Sequence, residues 1–146
     1  MRLENKKALV TGAGGGIGRA VAVAMAAEGA TVHCADINKE HVDETVIIIS
    51  KAGGTAKAAV GDISQESHIK ELVMASQAEF GGISSIVCSH IMDVPYLPVT
   101  ELALEDWQGS LEVNLTGIFL LLKHAIPIIA DGGGGSITLM ASQLTF

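Results

Sequence analysis

The chain has 146 residues, of which 49% are hydrophobic, 17% charged and 3% aromatic, and its formal net charge is −7. This length allows one domain with a sizeable core, since a chain of this size buries about 70% of its unfolded surface. The composition is that of a globular protein and excludes a disordered one. The nine Lys and Arg residues are scattered, which excludes the basic patch that a nucleic acid partner requires.

Apolar runs of strand length alternate with segments of helical spacing along the whole chain. The strand-length runs lie at 7–11, 31–36, 56–61, 83–89 and 135–141. Helical spacing covers 17–29, 39–52, 65–80 and 105–130. This alternation predicts an α/β fold with a parallel sheet. We expect a single dinucleotide-binding domain over 1–146 that ends after its fifth strand.

A glycine-rich turn, Thr-Gly-Ala-Gly-Gly-Gly-Ile-Gly at 11–18, joins the first strand to the first helix. Glycine lets the chain turn sharply and lets its backbone approach a ligand closely. The first N–H groups of a helix have no partner within the helix and attract phosphate. Gly12, Gly16 and Gly18 therefore predict a pyrophosphate site, although a flexible turn or an ordinary helix entry has similar letters.

An acidic residue follows the second strand at the spacing that a dinucleotide site requires. Asp36 lies 20 residues after Gly16 and ends the apolar run 31–35. A carboxylate at this place accepts hydrogen bonds from the 2′-hydroxyl of an adenosine ribose. The alternative is a solvated turn residue. Strand, glycine turn, helix, strand and acid together favour the dinucleotide site.

Two segments depart from the simple pattern. The run Val-Ile-Ile-Ile at 46–49 makes the second helix apolar around most of its circumference. It predicts either a helix that is covered on a second side or a partly strand-like segment. The four glycines at 132–135 look like a second phosphate loop, but a strand follows them. We therefore expect a flexible connection, because the N-terminal amide groups of a helix are missing there.

The remaining patterns favour a cytoplasmic protein with no membrane partner. Cys34 and Cys88 lie in predicted strands without Cys-x-x-Cys spacing, which indicates buried hydrophobic residues and neither a disulfide nor a metal site. Residues 1–7 contain no apolar segment or cleavage site of a secretory signal. The apolar stretch 117–130 is interrupted by a lysine, a histidine and a proline. It is shorter than the roughly 20 apolar residues that span a bilayer, so we expect a buried helix.

The motifs in this order resemble the short-chain dehydrogenase/reductase family along the whole chain. They are the glycine turn, Asp36, Gly-Asp-Ile at 61–63, Val-Asn at 113–114 and the segment 135–142. The resemblance implies a Rossmann-type, doubly wound parallel sheet with NAD(H) or NADP(H) at the carboxyl ends of its strands. The sheet would be incomplete at its C-terminal side, and its uncovered edge and faces predict a homo-oligomer.

The resemblance also implies which residues bind the cofactor. Four contact its phosphates and ribose: Gly12, Gly16, Ile17 and Gly18. Asp36 selects the ribose, and because a carboxylate repels a 2′-phosphate, NAD is favoured over NADP. Ile37 supplies no positive charge, whereas Arg19 keeps NADP as the alternative.

Four further positions match functional residues of the family. Asp62 and Ile63 match its adenine contacts, with a helix cap as the other interpretation of Asp62. Asn114 matches the asparagine that interrupts a helix and supports a proton-relay water, or it is a buried Asn that satisfies backbone groups. Ser142 matches the catalytic serine, whose hydroxyl bonds the substrate oxygen; the alternative is a turn former.

The chain departs from the family at the end of the fourth strand. Residues 88–91 read Cys-Ser-His-Ile, where the family usually has Asn-Asn-Ala-Gly. Side chains therefore replace open space near the cofactor. Ser89 is expected to supply a polar contact with the cofactor, and His90 and Ile91 either crowd the ribose or turn away. His90 has no partner motif for a metal or catalytic role.

The proton donor of the family is the second departure. The family uses a Tyr-x-x-x-Lys pair in which the lysine lowers the pKa of the tyrosine. Here the only tyrosine, Tyr96, is followed four residues later by Thr100, and the sequence stops at Phe146. The first hypothesis is a short-chain oxidoreductase that interconverts a small-molecule alcohol and ketone, with its tyrosine beyond this segment. The alternative is a truncated, catalytically inactive dinucleotide-binding or interaction module.

Overall fold

One parallel sheet of five strands lies at the centre of residues 1–142, which are the residues that the computed structural model describes. The strands are β1 (Lys7–Thr11), β2 (Thr31–Asp36), β3 (Thr55–Val60), β4 (Ser85–Cys88) and β5 (Ser136–Leu139). Their order in the sheet is β3-β2-β1-β4-β5. The order reverses at β1, where β2 lies on one side and β4 on the other. This reversal creates the crevice in which open α/β sheets bind ligands.

Helices pack on both faces of the sheet, but all four residues of β5 are exposed. They are α1 (Gly16–Ala27), α2 (Lys39–Lys51), α3 (Glu66–Phe80), α4 (Leu104–Leu111) and α5 (Gly117–Asp131), with a π-helical turn at Glu112–Thr116. The predicted alternation of strands and helices is therefore confirmed, and the fold class is the doubly wound Rossmann type. The predicted helix 105–130 is continuous but contains the π-helical turn, which the apolar periodicity does not reveal.

Two apolar clusters, one on each face, hold the helices on the sheet. Along β1, Ala8 and Val10 belong to the cluster under α1 and α2, and Leu9 belongs to the cluster under α3 and α5. This alternation is the period of two that a strand buried on both faces requires. The apolar run in α2 is helical, so the strand-like interpretation is wrong. Its Ile49 is buried, while Ile47 is 51% exposed and is not covered on a second side.

The glycines at 132–135 connect α5 to β5 and do not open a helix. Gly133 and Gly134 adopt positive φ angles of 94° and 98°. A Cβ atom on Gly135 would lie 2.4 Å from the Ser84 carbonyl oxygen, where β5 begins to pair with β4. The prediction of a connection rather than a second phosphate loop is therefore confirmed.

Both cysteines are buried in the sheet, as the sequence predicts, and both are free thiols. Burial raises the pKa of the Cys34 thiol to about 12. Burial also raises the pKa of the Cys88 thiol to about 11. Both thiols are therefore protonated near neutral pH and act as small hydrophobic side chains.

The helix Leu104–Asp131 is the one helix in residues 1–142 that is long and apolar enough to cross a membrane by length and composition. Core helices of globular proteins pass the same test, so this is a weak indication. Leu121 and Ile129 are buried in the cluster under α3 and α5. Leu115 is 64% exposed and Phe119 is 60% exposed. The expectation of a buried helix is thus correct for one face only.

A buried histidine on β2 connects the sheet to α3. The His33 side chain is fully buried, and its Nδ1 lies 2.7 Å from the Ser76 hydroxyl oxygen. Because that hydroxyl donates to the Leu72 carbonyl at 2.9 Å, its oxygen accepts the proton on His33 Nδ1. Burial holds the pKa of His33 below its usual range, against the opposing effect of the nearby Glu79 carboxylate.

This histidine makes the stability depend on pH. Below the unfolded pKa of about 6.5, the unfolded chain takes up a proton that the native His33 does not yet bind. The free energy of unfolding should therefore fall as the pH drops from that value toward the lower native pKa. Urea unfolding at pH 8 and at pH 5.5 should show a smaller loss for His33→Phe than for the wild type. Equal losses in the two proteins would contradict the claim that His33 makes the stability depend on pH.

Candidate functional site

The glycine turn after β1 has the backbone geometry that only glycine adopts easily. Gly12 has a φ of +66° and Gly16 a φ of +49°. A Cβ atom on Gly18 would lie only 2.1 Å from the Gly12 carbonyl oxygen. Gly15 and Gly16 have no atom within 4 Å of a Cβ position, so the outer side of the turn is open. The N-cap of α1 is Gly15, which has no side chain that could cap the helix. The N–H groups at the start of the helix are therefore available to an anion.

Asp36 faces the glycine turn from the end of β2. Its Oδ2 accepts from the Gly14 N–H at 2.8 Å, and its Oδ1 accepts from the Asn38 N–H at 2.9 Å. Each carboxylate oxygen can accept a further hydrogen bond. The two backbone donors therefore fix the orientation of the carboxylate, and both of its oxygens can still accept hydrogen bonds from a ligand. Next to it, Ile37 is 70% exposed and brings no charge.

The turn after β3 is ordered by Asp62. The Asp62 Oδ1 accepts from the Ser64 N–H at 2.9 Å and from the Ser64 hydroxyl at 2.7 Å. The N-cap of α3 is Gln65, so the expectation that Asp62 caps this helix is wrong. Asp62 instead stabilises the turn that precedes it. A Cβ atom on Gly117 would lie 2.9 Å from the Ile63 carbonyl oxygen, which shows that this turn packs closely on the start of α5.

Residues 89–91 continue β4 toward the glycine turn. The Ser89 N–H donates to the Thr11 carbonyl at 3.2 Å, and a Cβ atom on Gly12 would lie 2.6 Å from the Ser89 carbonyl oxygen. His90 turns toward β1, with its Nδ1 2.6 Å from the Thr11 hydroxyl oxygen. Ile91 is 67% exposed. His90 and Ile91, expected either to crowd the ribose or to turn away, both line the cavity, and Ile91 is the more exposed of the two.

The two ring nitrogens of His90 have different surroundings. Its Nε2 is buried and has no hydrogen-bond partner of good geometry. Burial holds the pKa of His90 below its usual range, and the Val113 carbonyl opposes this effect. The imidazole is therefore neutral near pH 7. The pattern of residues at 88–91 does not predict the contact between His90 and Thr11, because it depends on the rotamer of the ring.

Asn114 lies in the π-helical turn and holds the segment after β4. Its Oδ1 accepts from the Met92 N–H, and its Nδ2 donates to the Met92 carbonyl, each at 2.9 Å. Nδ2 also donates to the Ser110 hydroxyl at 3.0 Å. Asn114 thus satisfies both backbone groups of Met92. The predicted interruption of the helix at this residue coincides with the π-helical turn.

One cavity of about 770 Å³ joins most of the predicted cofactor residues along the carboxyl ends of the strands. Those that line it are Gly12, Gly16, Ile17, Asp36, Asp62, Ile63 and Ser89. Gly18, Asn114 and Ser142 are not among its described lining residues.

Ser142 is exposed and follows β5. The end of β5 stays next to β4 through a hydrogen bond from the Met140 N–H to the Cys88 carbonyl at 3.1 Å. Within 1–142, no group of three His, Cys, Asp or Glu side chains is placed to hold a metal ion.

The family model described as short chain dehydrogenase matches residues 6–146. The chain belongs to the short-chain dehydrogenase family. The family accounts for the glycine turn, for the acid at the end of β2 and for a crevice at the reversal of the strand order.

Known members of the family are similar to this chain along almost its full length. D-threitol dehydrogenase of Mycolicibacterium smegmatis is 36% identical over 97% of the chain and 54% of its own length. The 2,5-dichloro-2,5-cyclohexadiene-1,4-diol dehydrogenase of Sphingobium indicum is 38% identical over 96% of the chain and 55% of its own length. The crystal structure of NAD⁺-bound xylitol dehydrogenase has a TM-score of 0.94 and 29% identity, and covers 97% of this chain and 55% of that one. The chain thus spans about half the length of the relatives it matches.

Proposed function

We propose that this short-chain dehydrogenase segment supplies the dinucleotide site of an oxidoreductase that interconverts an alcohol and a ketone with NAD(H). The observation that carries the proposal is that the open glycine turn and the oriented Asp36 carboxylate line the same cavity. The relatives support the reaction class, since they include D-threitol dehydrogenase and NAD⁺-bound xylitol dehydrogenase.

The residues in the cavity fit a dinucleotide. Gly15 and Gly16 leave room for a pyrophosphate at the start of α1, where backbone N–H groups and the helix dipole favour negative charge. The free lone pairs of Asp36 suit the hydroxyl groups of the adenosine ribose. The turn at Asp62 and Ile63 would receive the adenine, with the aliphatic side chain against the ring. Ser89 would add a polar contact further along the cavity.

The charge of the site favours NAD over NADP. Asp36 carries the negative charge that would face a 2′-phosphate, and the neighbouring Ile37 offers no compensating cation. Two like charges a few ångströms apart repel strongly in a partly desolvated site. NADP is therefore the weaker ligand in this proposal.

Ser142 and Asn114 are proposed to act on the substrate side. A nicotinamide bound in the cavity would supply the hydride acceptor or donor for the substrate carbon. The Ser142 hydroxyl would donate a hydrogen bond to the substrate oxygen and thereby stabilise charge that develops on it. Both Nδ2 protons of Asn114 are committed to Met92 and Ser110, so a relay water would bind an oxygen atom of Asn114. The shifted carbonyl pairing in a π-helical turn would leave room for such a water.

Calorimetric titration of the full-length protein with NADH tests the dinucleotide site, and the oxidation of alcohols tests the reaction. Ser142→Ala should lower kcat by about 100-fold, the usual cost of removing one such donor, while the Kd for NADH stays the same. Ser136→Ala at the start of β5 is the control and should keep both values. Failure of the wild type to bind NADH would refute the site. Equal kcat values for the two variants would refute the role of Ser142.

We also propose a cytoplasmic homo-oligomer. The exposed side of the helix Leu104–Asp131 presents a stripe of apolar side chains at helical spacing. These are Leu104, Trp107, Leu111, Leu115 and Phe119, which are 39% to 64% exposed. An apolar stripe of this kind marks an interaction surface, and free buried cysteines are compatible with a reducing compartment.

A further inference from the structure

The Arg19 guanidinium and the Asp36 carboxylate bond to the same residue, Gly14. The Gly14 N–H donates to Asp36 Oδ2 at 2.8 Å, and the carbonyl of the same residue accepts from Arg19 Nη2. The guanidinium is therefore close to the end of the cavity that would hold the adenosine ribose. A guanidinium group binds phosphate strongly, because its planar fork donates two parallel hydrogen bonds.

Helix α2 holds Arg19 away from that role. Glu44 Oε2 lies 2.7 Å from Arg19 Nη2, and the His41 carbonyl accepts from the same nitrogen at 3.1 Å. Arg19 Nε donates to the Thr45 hydroxyl at 3.0 Å, and that hydroxyl donates to the Ala13 carbonyl at 2.8 Å. The Arg19 side chain is 26% exposed and that of Glu44 is 59% exposed. Glu44 thus covers the guanidinium from the solvent side.

We propose that Glu44 is a specificity-determining positioning residue that prevents Arg19 from binding the 2′-phosphate of NADP. The inference rests on the proposed dinucleotide site. Asp36 repels a 2′-phosphate directly, whereas Glu44 acts through Arg19, whose charge it neutralises. Glu44 also helps the Thr45 hydroxyl and the His41 carbonyl to hold the guanidinium on α2. Lys39, the first residue of α2, is paired in the same way with Asp43. The acids of α2 therefore neutralise two cations that a 2′-phosphate would otherwise attract.

The test compares ligands with and without the 2′-phosphate. Calorimetric titrations of the full-length protein would use NAD⁺, NADP⁺, AMP and adenosine 2′,5′-bisphosphate; the last two report on the adenosine end alone. Glu44→Gln keeps the length of the side chain and removes its charge. We expect NADP⁺ and the bisphosphate to bind about fivefold more tightly to this variant, the gain that one freed exposed charge provides. The affinities for NAD⁺ and AMP should not change.

Two further variants separate this effect from a general change in charge. Glu40→Gln removes the same charge from the first turn of α2 but leaves the ion pairs of Arg19 and Lys39 intact, and we expect a smaller gain. In an Arg19→Met background, the Glu44→Gln change should give no gain. Circular dichroism melts would confirm that each variant is folded, which the exposure of Glu44 favours.

The outcomes distinguish this inference from the proposed function. If the wild type binds neither NAD⁺ nor NADP⁺, the dinucleotide site itself is refuted, and the role of Glu44 with it. If NAD⁺ binds but Glu44→Gln gives no larger gain than Glu40→Gln, only the role of Glu44 is refuted. A gain that persists without Arg19 would also overturn it, because the effect would then not pass through the guanidinium.

Discussion

Replacing Gly18 with alanine is expected to lower the free energy of unfolding by about 3 kcal/mol, the upper range for overpacking a tight site. The added Cβ atom would lie 2.1 Å from the Gly12 carbonyl oxygen and 2.6 Å from its carbon. These are backbone atoms, so no rotamer change relieves the contact. The turn and the first residues of α1 must move instead. Thermal unfolding should show a midpoint about 10 °C lower.

Gly15→Ala is the matched control in the same turn. Gly15 has an extended backbone with a φ of −165°, and a Cβ atom there meets nothing within 4 Å. The free energy of unfolding of this variant should differ from that of the wild type by less than about 1 kcal/mol. The new methyl group would project into the space proposed for the pyrophosphate, so NADH binding should weaken in a protein that still folds normally. Equal stability losses for the two variants would contradict this account of the turn.

Most of the fold is predictable because its signals are local and periodic. The strands β1 and β2 begin and end where the apolar runs 7–11 and 31–36 do, and α2 and α3 differ from their predicted ranges by one residue at an end. Strands buried on both faces read as continuous apolar runs, and the turns between them carry glycine. The π-helical turn is not predictable in this way, because its one-residue shift in hydrogen bonding leaves no apolar pattern.

The residues of the candidate site are likewise predictable only in part. Residues fixed by backbone conformation, such as Gly12 and Gly16, can be predicted from the sequence because few other residues adopt a positive φ. The contacts of Arg19 and His90 cannot, since a long or rotatable side chain selects its partner only after the elements have packed. The altered segment 88–91 illustrates this difference. Its sequence predicts bulky side chains near the cofactor but not the contact of the His90 ring with the Thr11 hydroxyl, which the ring makes while it lines the cavity.

Removing the side-chain amide of Asn114 is expected to have the second large effect. Asn114→Ala leaves the N–H and the carbonyl of Met92 without their partners, each of which is now 2.9 Å from the amide. Unsatisfied, partly buried polar groups are costly, and we expect the free energy of unfolding to fall by about 2 kcal/mol. Met92 lines the cavity, so the Kd for NADH should also rise several-fold. Urea unfolding and calorimetric titration measure the two effects.

Two variants test whether the paired bonds to Met92 are the cause. Ser110→Ala removes only the hydroxyl that accepts from Asn114 at 3.0 Å, and it should cost no more than about 1 kcal/mol. Asn114→Asp keeps the shape and the acceptor for the Met92 N–H but places a carboxylate oxygen against the Met92 carbonyl. It should therefore be destabilised by a similar amount to Asn114→Ala. If Asn114→Asp were as stable as the wild type, donation to the Met92 carbonyl would not contribute to stability, and Asn114 would hold this segment through its acceptor alone.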